Sequence, residues 1–434
     1  MQKIDITGLN HEGAGVGRLQ GGMVVFVPGA LPGERVKIEI VARKKHYALA
    51  RLLEIEKASP DRVLPPCPEV YQCGGCHLQH LDYRAQLLWK RRQVVEALRR
   101  LGGLRDVSVL PVLGMANPWG YRNKVRLHVA GNRLGFYQPG SHEVVPFAHC
   151  RLLPSGLLEL AREIARLLPG LEKGLEHVTL RQGRATGEML VALEARSGWP
   201  GAKVLSGELA GRFPELVGIV AHPTKNDRGG FRETLLFGRD YLEERLGALR
   251  FHISATTFFQ VNSAQAEVLY DRAGDLAGLR GGEEVLDAYC GSGSIAMWLS
   301  RRAGMVTGVE VVEGAVKDAR RNAVLNKINN LSFHVGAAER VLPRLAGEGY
   351  RPEVVVLDPP RSGCDRRVLA AVAAMQPRRI VYVSCNPSTL ARDLSYLQKT
   401  GFTLGPMQPV DMFPHTHHIE CVCCLDRMEV CYPN

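Results

Sequence analysis

The stretch Val285-Leu286-Asp287-Ala288-Tyr289-Cys290-Gly291-Ser292-Gly293-Ser294 decides the fold. A short apolar run, EEVLDAY (283–289), ends near an acid, turns through two glycines and enters a helical pattern. A Gly-rich turn between strand and helix lets backbone approach a ligand closely. Working outward, six more strand runs follow: MVTGVE (305–310), LSFHV (331–335), PEVVVLD (352–358), RRIVYVS (378–384), FTLGPMQPVDM (402–412) and IECVCCL (419–425). Helical stretches separate most of them. That alternation predicts a doubly wound, mostly parallel, Rossmann-like sheet over residues 251–434.

The second strand ends in Glu310, 23 residues after Asp287. An acid at this strand tip suits ribose hydroxyls, so the pair points to a nucleotide-like cofactor. Ala296 occupies a position that the dinucleotide fingerprint also allows, so the glycines alone leave NAD open. The fourth strand ends in Asp358-Pro359-Pro360-Arg361, which resembles the fourth motif of nucleic-acid methyltransferases. Ligands of open α/β sheets sit at the carboxyl ends of strands, so Asp287, Glu310, Asp358 and the tip of the fifth strand should share one rim.

That fifth tip is Val383-Ser384-Cys385-Asn386-Pro387, and the helical pattern STLARDLSYLQK follows at once. A cysteine beside a helix N-terminus is expected to have a depressed pKa. A buried packing thiol is the plainer alternative. Carbon 5 of uracil is a poor nucleophile. Thiolate addition at carbon 6 turns the ring into an enolate and makes carbon 5 reactive toward a sulfonium methyl group. The carbon 5 proton must then leave to a general base. Glu420 opens the last strand after the short segment MFPHTHHI (412–419), which predicts an antiparallel strand whose start lies beside Cys385. Spacing alone leaves a solvated edge acid equally open. His415, His417 and His418 read as polar loop contacts, with no fourth metal ligand apparent. Adenine amino-methylating enzymes place an aromatic residue after Pro-Pro, where this chain has Arg361. Cytosine-C5 enzymes mostly set the nucleophile after proline, where this chain has Ser384.

The rest of the chain supplies context. Its 434 residues suffice for two or three domains. Residues 1–58 carry short alternating runs broken by glycine and proline, which predicts a small β-barrel, similar to OB-like barrels, with a basic run, Arg43-Lys44-Lys45-His46. Residues 59–250 read as a mixed α/β middle domain. It opens with a proline-rich linker and a helix over 82–101, whose apolar stripe is Leu87, Leu88, Val94, Val95, Leu98 and Leu101, with Lys90 and the arginines elsewhere. Cys67, Cys73 and Cys76, with Cys150 downstream, suit either [4Fe–4S] or zinc. A formal net charge of +11 favours a polyanionic partner, RNA or DNA. No apolar run approaches the roughly 20 residues of a membrane span. The N-terminus lacks a signal pattern, so a cytoplasmic protein is expected.

Together these motifs resemble the RNA uracil-C5-methyltransferases, specifically the bacterial branch acting on 23S ribosomal RNA, over nearly the whole chain. The resemblance implies S-adenosyl-L-methionine as cofactor and a TRAM domain at the N-terminus. It implies Cys67, Cys73, Cys76 and Cys150 as ligands of a [4Fe–4S] cluster. Phe258-Phe259-Gln260-Val261-Asn262 matches the cofactor-contact motif, with Gln260 the contact, and Tyr289, Glu310 and Asp358 match further cofactor positions. Cys385 matches the nucleophile and Glu420 the base. Tyr121-Arg122-Asn123-Lys124 looks like an RNA-contact segment. Ser294 and Ala337 depart from some relatives' cofactor contacts. The implied substrate is single-stranded or loop RNA, because the target base must leave its stack. A monomer is expected. Methylation of tRNA by the same chemistry, or a non-catalytic RNA-binding factor on this fold, are the alternatives.

Overall fold

The computed structural model describes residues 1–146, 149–224 and 233–428. Five strands, β1 (Gln2–Leu9), β2 (Gly15–Arg18), β3 (Val24–Val27), β4 (Arg35–Arg43) and β5 (Tyr47–Lys57), close a barrel in the order β1-β2-β3-β5-β4. Strand side chains alternate between faces, so Ile4, Ile6, Val25, Val27, Val36 and Ile38 all point inward and fill it. Buried Glu34 ties the barrel to the proline-rich linker. It accepts from Leu31 N (2.8 Å), Ser59 N (3.2 Å) and Arg62 Nη2 (2.9 Å).

Helix α1 (Tyr83–Leu101) starts at Asp82, whose carboxylate accepts from Arg84 N at 2.9 Å. Its buried face differs from the expected stripe. Val94 and Leu98 are buried, but Leu88 and Leu101 are 61% and 60% exposed, while Lys90 is fully buried beside Gln86 and Trp89. The helix lies on the C-terminal unit, where Val94 and Leu98 share a core with Leu390 and Leu394.

The middle sheet takes the order β12-β11-β10-β9-β6-β7-β8. In chain order its elements are β6 (Lys124–Ala130), β7 (Arg133–Tyr137), β8 (Val144–Pro146), α2 (Ser155–Leu167), β9 (Leu175–Gln182), β10 (Met189–Ala195), α3 (Gly201–Arg212), β11 (Leu216–Pro223) and β12 (Thr234–Gly238). Leu157, Leu160 and Ile164 of α2 and Leu205 and Leu209 of α3 share a core with the apolar residues of β9 and β10. A hairpin follows, β13 (Tyr241–Leu246) and β14 (Leu249–Ser254). The boundary read between residues 250 and 251 falls within β14. The hairpin's Leu242, Leu246 and Phe251 share a core with Leu269 and Trp298 further along the chain.

The C-terminal unit runs α4 (Ser263–Ala277), β15 (Glu284–Asp287), α5 (Ser294–Ser300), β16 (Met305–Glu310), α6 (Glu313–Leu325), β17 (Leu331–Val335), α7 (Ala338–Gly347), β18 (Val354–Leu357), α8 (Arg366–Met375), β19 (Arg379–Ser384) and α9 (Pro387–Lys399), then β20 (Phe402–Leu404), β21 (Gln408–Val410) and β22 (Glu420–Arg427). The order is β17-β16-β15-β18-β19-β22-β20, with β21 also paired to β22. The first five strands are parallel and β22 is antiparallel, as the short loop before it predicts. The run 402–412 forms two strands because Gly405-Pro406 interrupts it. The strand order reverses between β15 and β18, where a ligand crevice is expected. Among the described residues, no helix is long and apolar enough to cross a membrane.

Candidate active site at the carboxyl rim of the sheet

The crevice between β15 and β18 is built from acids and glycines. Asp287 ends β15 fully buried, and neither of its carboxylate oxygens has a side-chain donor. Burial, reinforced by Asp358 and Glu310, pushes its pKa up to about 7. Gly291 and Gly293 take positive φ angles of 53° and 80°, which lets the chain turn into α5. Glu310, at the tip of β16, holds that turn by accepting from Gly291 N at 3.1 Å and from Val312 N at 2.8 Å. Tyr289 lies half-buried against the core on the α7–α8 side of the sheet. Ser294 shares a 2.9 Å hydrogen bond with Tyr270. Asp358 follows β18, and burial pushes it up to about 7 as well.

Gln260 reaches this region from the loop before α4. Asn123, 6% exposed, donates to Gln260 O (3.1 Å) and Ser263 Oγ (2.9 Å), while its own amide donates to Val261 O (2.8 Å). Lys124 Nζ donates to Thr256 O at 3.4 Å. Tyr121, 5% exposed, donates to Pro414 O at 3.0 Å. Tyr121 and Asn123 thus brace two loops from inside, while Arg122 and Lys124 of the same segment are half-buried.

Cys385 and Glu420 face one another. The antiparallel register pairs Ser384 with Cys421, and one further step sets Cys385 opposite Glu420. Cys385 is half-buried and lines a cavity of about 420 Å³ with Arg361, Asn386, His417, His418 and Ile419. The expected depression of its pKa is reversed. Burial first, then the Glu420 and Asp358 carboxylates, push the thiol up to about 11. Asn386 caps α9 through its own side chain, accepting from Ser388 N at 3.0 Å. Burial, with Asp358 close, also raises Glu420 well above the usual carboxylate range. Arg361 opposes both shifts. The residue after Asp-Pro-Pro is therefore a functional candidate that its sequence reading registered only as a missing aromatic. Its guanidinium also lies 3.3 Å from His418 Nε2.

The loop 411–419 that delivers Glu420 is pinned carbonyl by carbonyl. Asp411 O accepts from Gln265 Nε2 (3.2 Å), Met412 O from Asn262 Nδ2 (3.0 Å) and Pro414 O from Tyr121. His415 O accepts from the amides of His77 and Leu78, at 2.9 and 3.0 Å. His415 itself holds φ at 65°, a strained value for a non-glycine residue, and stacks on Trp119 at 3.7 Å.

Cys67, Cys73, Cys76 and Cys150 line a second cavity, of about 450 Å³, which shares Arg361 and His418 with the first. All four are free thiols. Burial pushes Cys67 up to about 11 and Cys76 up to about 12, and also raises Cys73 and Cys150. Among the described residues, no three such side chains converge as ligands of a single metal ion.

Residues 229–428 match the family described as tRNA (Uracil-5-)-methyltransferase, and residues 1–53 match the TRAM domain. A protein of Bacillus cereus named as an uncharacterized RNA methyltransferase is 44% identical, with 97% of this chain and 95% of the relative covered. One of Halalkalibacterium halodurans, similarly named, is also 44% identical, over 98% and 96%. The crystal structure of the Pyrococcus abyssi tRNA (uracil-54, C5)-methyltransferase with S-adenosyl-L-homocysteine superposes with a TM-score of 0.78 at 28% identity, covering 98% of this chain and 100% of that one.

Proposed function

Because the chain belongs to the tRNA (uracil-5-)-methyltransferase family of TRAM-containing RNA methyltransferases, we propose that it methylates carbon 5 of a uridine in 23S ribosomal RNA, with Cys385 as nucleophile and Glu420 as base. The register of β19 against β22 carries this reading, since Ser384 pairs with Cys421 and the next step brings the cavity-lining Cys385 beside buried Glu420, whose carboxylate raises the thiol's pKa.

S-adenosyl-L-methionine supplies an electrophilic methyl group when bound. The crevice suits it. The carboxylate of Asp287 is a fully buried polar group at the crevice with no side-chain donor, and the left-handed glycines at 291 and 293 keep the turn free of side chains. Glu310 would meet ribose hydroxyls, with Gln260, Tyr289 and Asp358 completing the lining. Cys385, its proton released to solvent through the cavity it lines, adds through Sγ to carbon 6 of the flipped uracil, and the electron pair of the 5,6 double bond moves onto the carbonyl at carbon 4. Carbon 5 becomes nucleophilic and takes the methyl group as its bond to the sulfonium sulfur breaks, leaving a neutral thioether. Glu420 then takes the carbon 5 proton, the double bond re-forms, and the C6–S bond breaks to return the thiolate. A raised pKa suits Glu420, because once ionised it is a stronger proton acceptor than an exposed glutamate. Arg361 favours the thiolate at the moment of attack.

The four cysteines support a [4Fe–4S] cluster. Thiols spread around a cavity suit a multi-iron cluster better than one tetrahedral ion, which needs its sulfurs close together. A cationic group would also offset the burial that disfavours four thiolates. The ribosomal RNA assignment follows the branch that the sequence motifs resemble. The tRNA specificity named for the Pyrococcus abyssi enzyme supports the second reading, a tRNA substrate.

RNA carrying 5-fluorouridine should trap a denaturation-resistant adduct with the wild type and none with Cys385→Ala, because fluorine does not leave as a proton does. Equal adduct from both would overturn the mechanism. Undermodified 23S RNA and unmodified tRNA, each incubated with labelled cofactor, separate the substrates. Label on tRNA alone would overturn the ribosomal assignment.

A further inference from the structure

Helix α1 carries a buried polar face that the methylation chemistry does not use directly. Tyr83, Gln86 and Lys90 are spaced by three and four residues, so they lie on one side of the helix. All three reach the loop that ends at Glu420. Lys90 Nζ donates to Asp411 Oδ1 at 2.6 Å and to Phe413 O at 3.0 Å, with both side chains of the ion pair fully buried. Tyr83 donates to Asp411 Oδ2 at 2.9 Å and accepts from Met115 N at 2.9 Å. Gln86 Oε1 accepts from His415 N at 3.0 Å, and its Nε2 lies 3.1 Å from His415 Nδ1.

We propose that Lys90 and Gln86 are positioning residues, a clamp on loop 411–419 that holds Glu420 against the carbon 5 proton. This rests on the reading of Glu420 as the base. A lysine fully removed from water carries a large desolvation cost, and hydrophobic replacements of such pairs often leave a fold as stable or more so. Packing alone therefore gives little reason for it. Its two contacts fix both a side chain and a main-chain carbonyl at the start of the loop, and Gln86 fixes the strained residue in the middle. With the loop held at both points, the carboxylate at its end has a defined place. Placement matters for proton transfer, which needs hydrogen-bond reach. Nucleophilic attack depends on Cys385, carried by β19 and outside the clamp.

The consequence is a split between the two halves of the reaction. The test is single-turnover kinetics on RNA labelled with tritium at carbon 5 of uridine, comparing formation of the protein–RNA adduct with tritium release. Lys90→Met combined with Asp411→Leu removes the clamp without stranding a buried charge. It should form the methylated adduct at close to the wild-type rate but release tritium slower by about tenfold or more, so that adduct accumulates. Gln86→Met should show the same split to a smaller degree, and it carries the test alone if the double variant does not fold. Equal slowing of both steps, or unchanged release, would overturn the clamp. Glu420→Gln separates the premises. If it accumulates adduct and the clamp variants do not, only the clamp fails. If it turns over freely, the reading of Glu420 fails first.

Discussion

The side-chain amide of Asn262 donates to the Met412 carbonyl at 3.0 Å, so a residue two places after Gln260 grips the loop that leads to Glu420. Asn262 is completely buried and also caps α4 by accepting from Gln265 N at 3.2 Å. Gln265 in turn donates to Asp411 O. The segment proposed to meet the cofactor and the segment proposed to supply the base are thus one hydrogen-bonded body, and Asn123 and Tyr121 brace the two ends of it.

Asn123→Ala should weaken S-adenosyl-L-homocysteine binding by roughly tenfold, about 1.4 kcal/mol, since it frees Gln260 and Ser263 from their shared donor. RNA affinity should hardly change, because Asn123 is buried. Calorimetry with the nucleoside and filter binding with RNA measure the two separately. A loss confined to RNA would assign Asn123 to the nucleic-acid surface instead.

Iron content tests the cysteine set without any turnover. Protein purified without oxygen should hold about four iron and four sulfide per chain. Serine at Cys67, Cys73, Cys76 or Cys150 should lower both. Cys290→Ser should not, because Cys290 sits buried behind the glycine turn. Full iron in all four variants would dismiss the cluster.

The acid at the end of β15 gives stability a pH dependence with a defined sign. Asp287 rises from its usual 3.8 to about 7 on folding. Below about pH 4 the folded and unfolded chains both carry the proton. Between there and about pH 7 the unfolded chain gives it up while the folded chain keeps it, so this group lowers stability as pH rises, with the full penalty above pH 7. Asp287→Asn should flatten that portion of the melting-temperature profile between pH 5 and 8, recorded without ligand. An unaltered slope would show that Asp287 is ionised in the folded protein throughout.

Much of this site is legible in the sequence because it is written at strand ends. Asp287, Glu310, Asp358, Cys385 and Glu420 each close or open an apolar run, and runs of that kind place their tips on a common edge whatever the side chains do later. Burial of polar residues on α1 is a different matter. Lys90 in a helix full of arginines reads as solvent-facing, and Asp411 and the Phe413 carbonyl, far away in the chain, make its burial tolerable. The apolar stripe misleads for the same reason: Leu88 and Val95 look like core, yet the helix turns Gln86 and Lys90 inward to meet a polar loop. The direction of the Cys385 shift likewise depends on burial and on two carboxylates from other strands, which no local pattern announces.

Strand β22 adds a consequence for biosynthesis. It lies between β19 and β20, and β21 rests on it too, although it is drawn from the far end of the described chain. The proposed nucleophile, Cys385, therefore leaves the ribosome ahead of the proposed base, Glu420. Until β22 is inserted, β19 lacks a neighbour on that side, β20 and β21 lack theirs, and the proposed pair of Cys385 and Glu420 is not assembled.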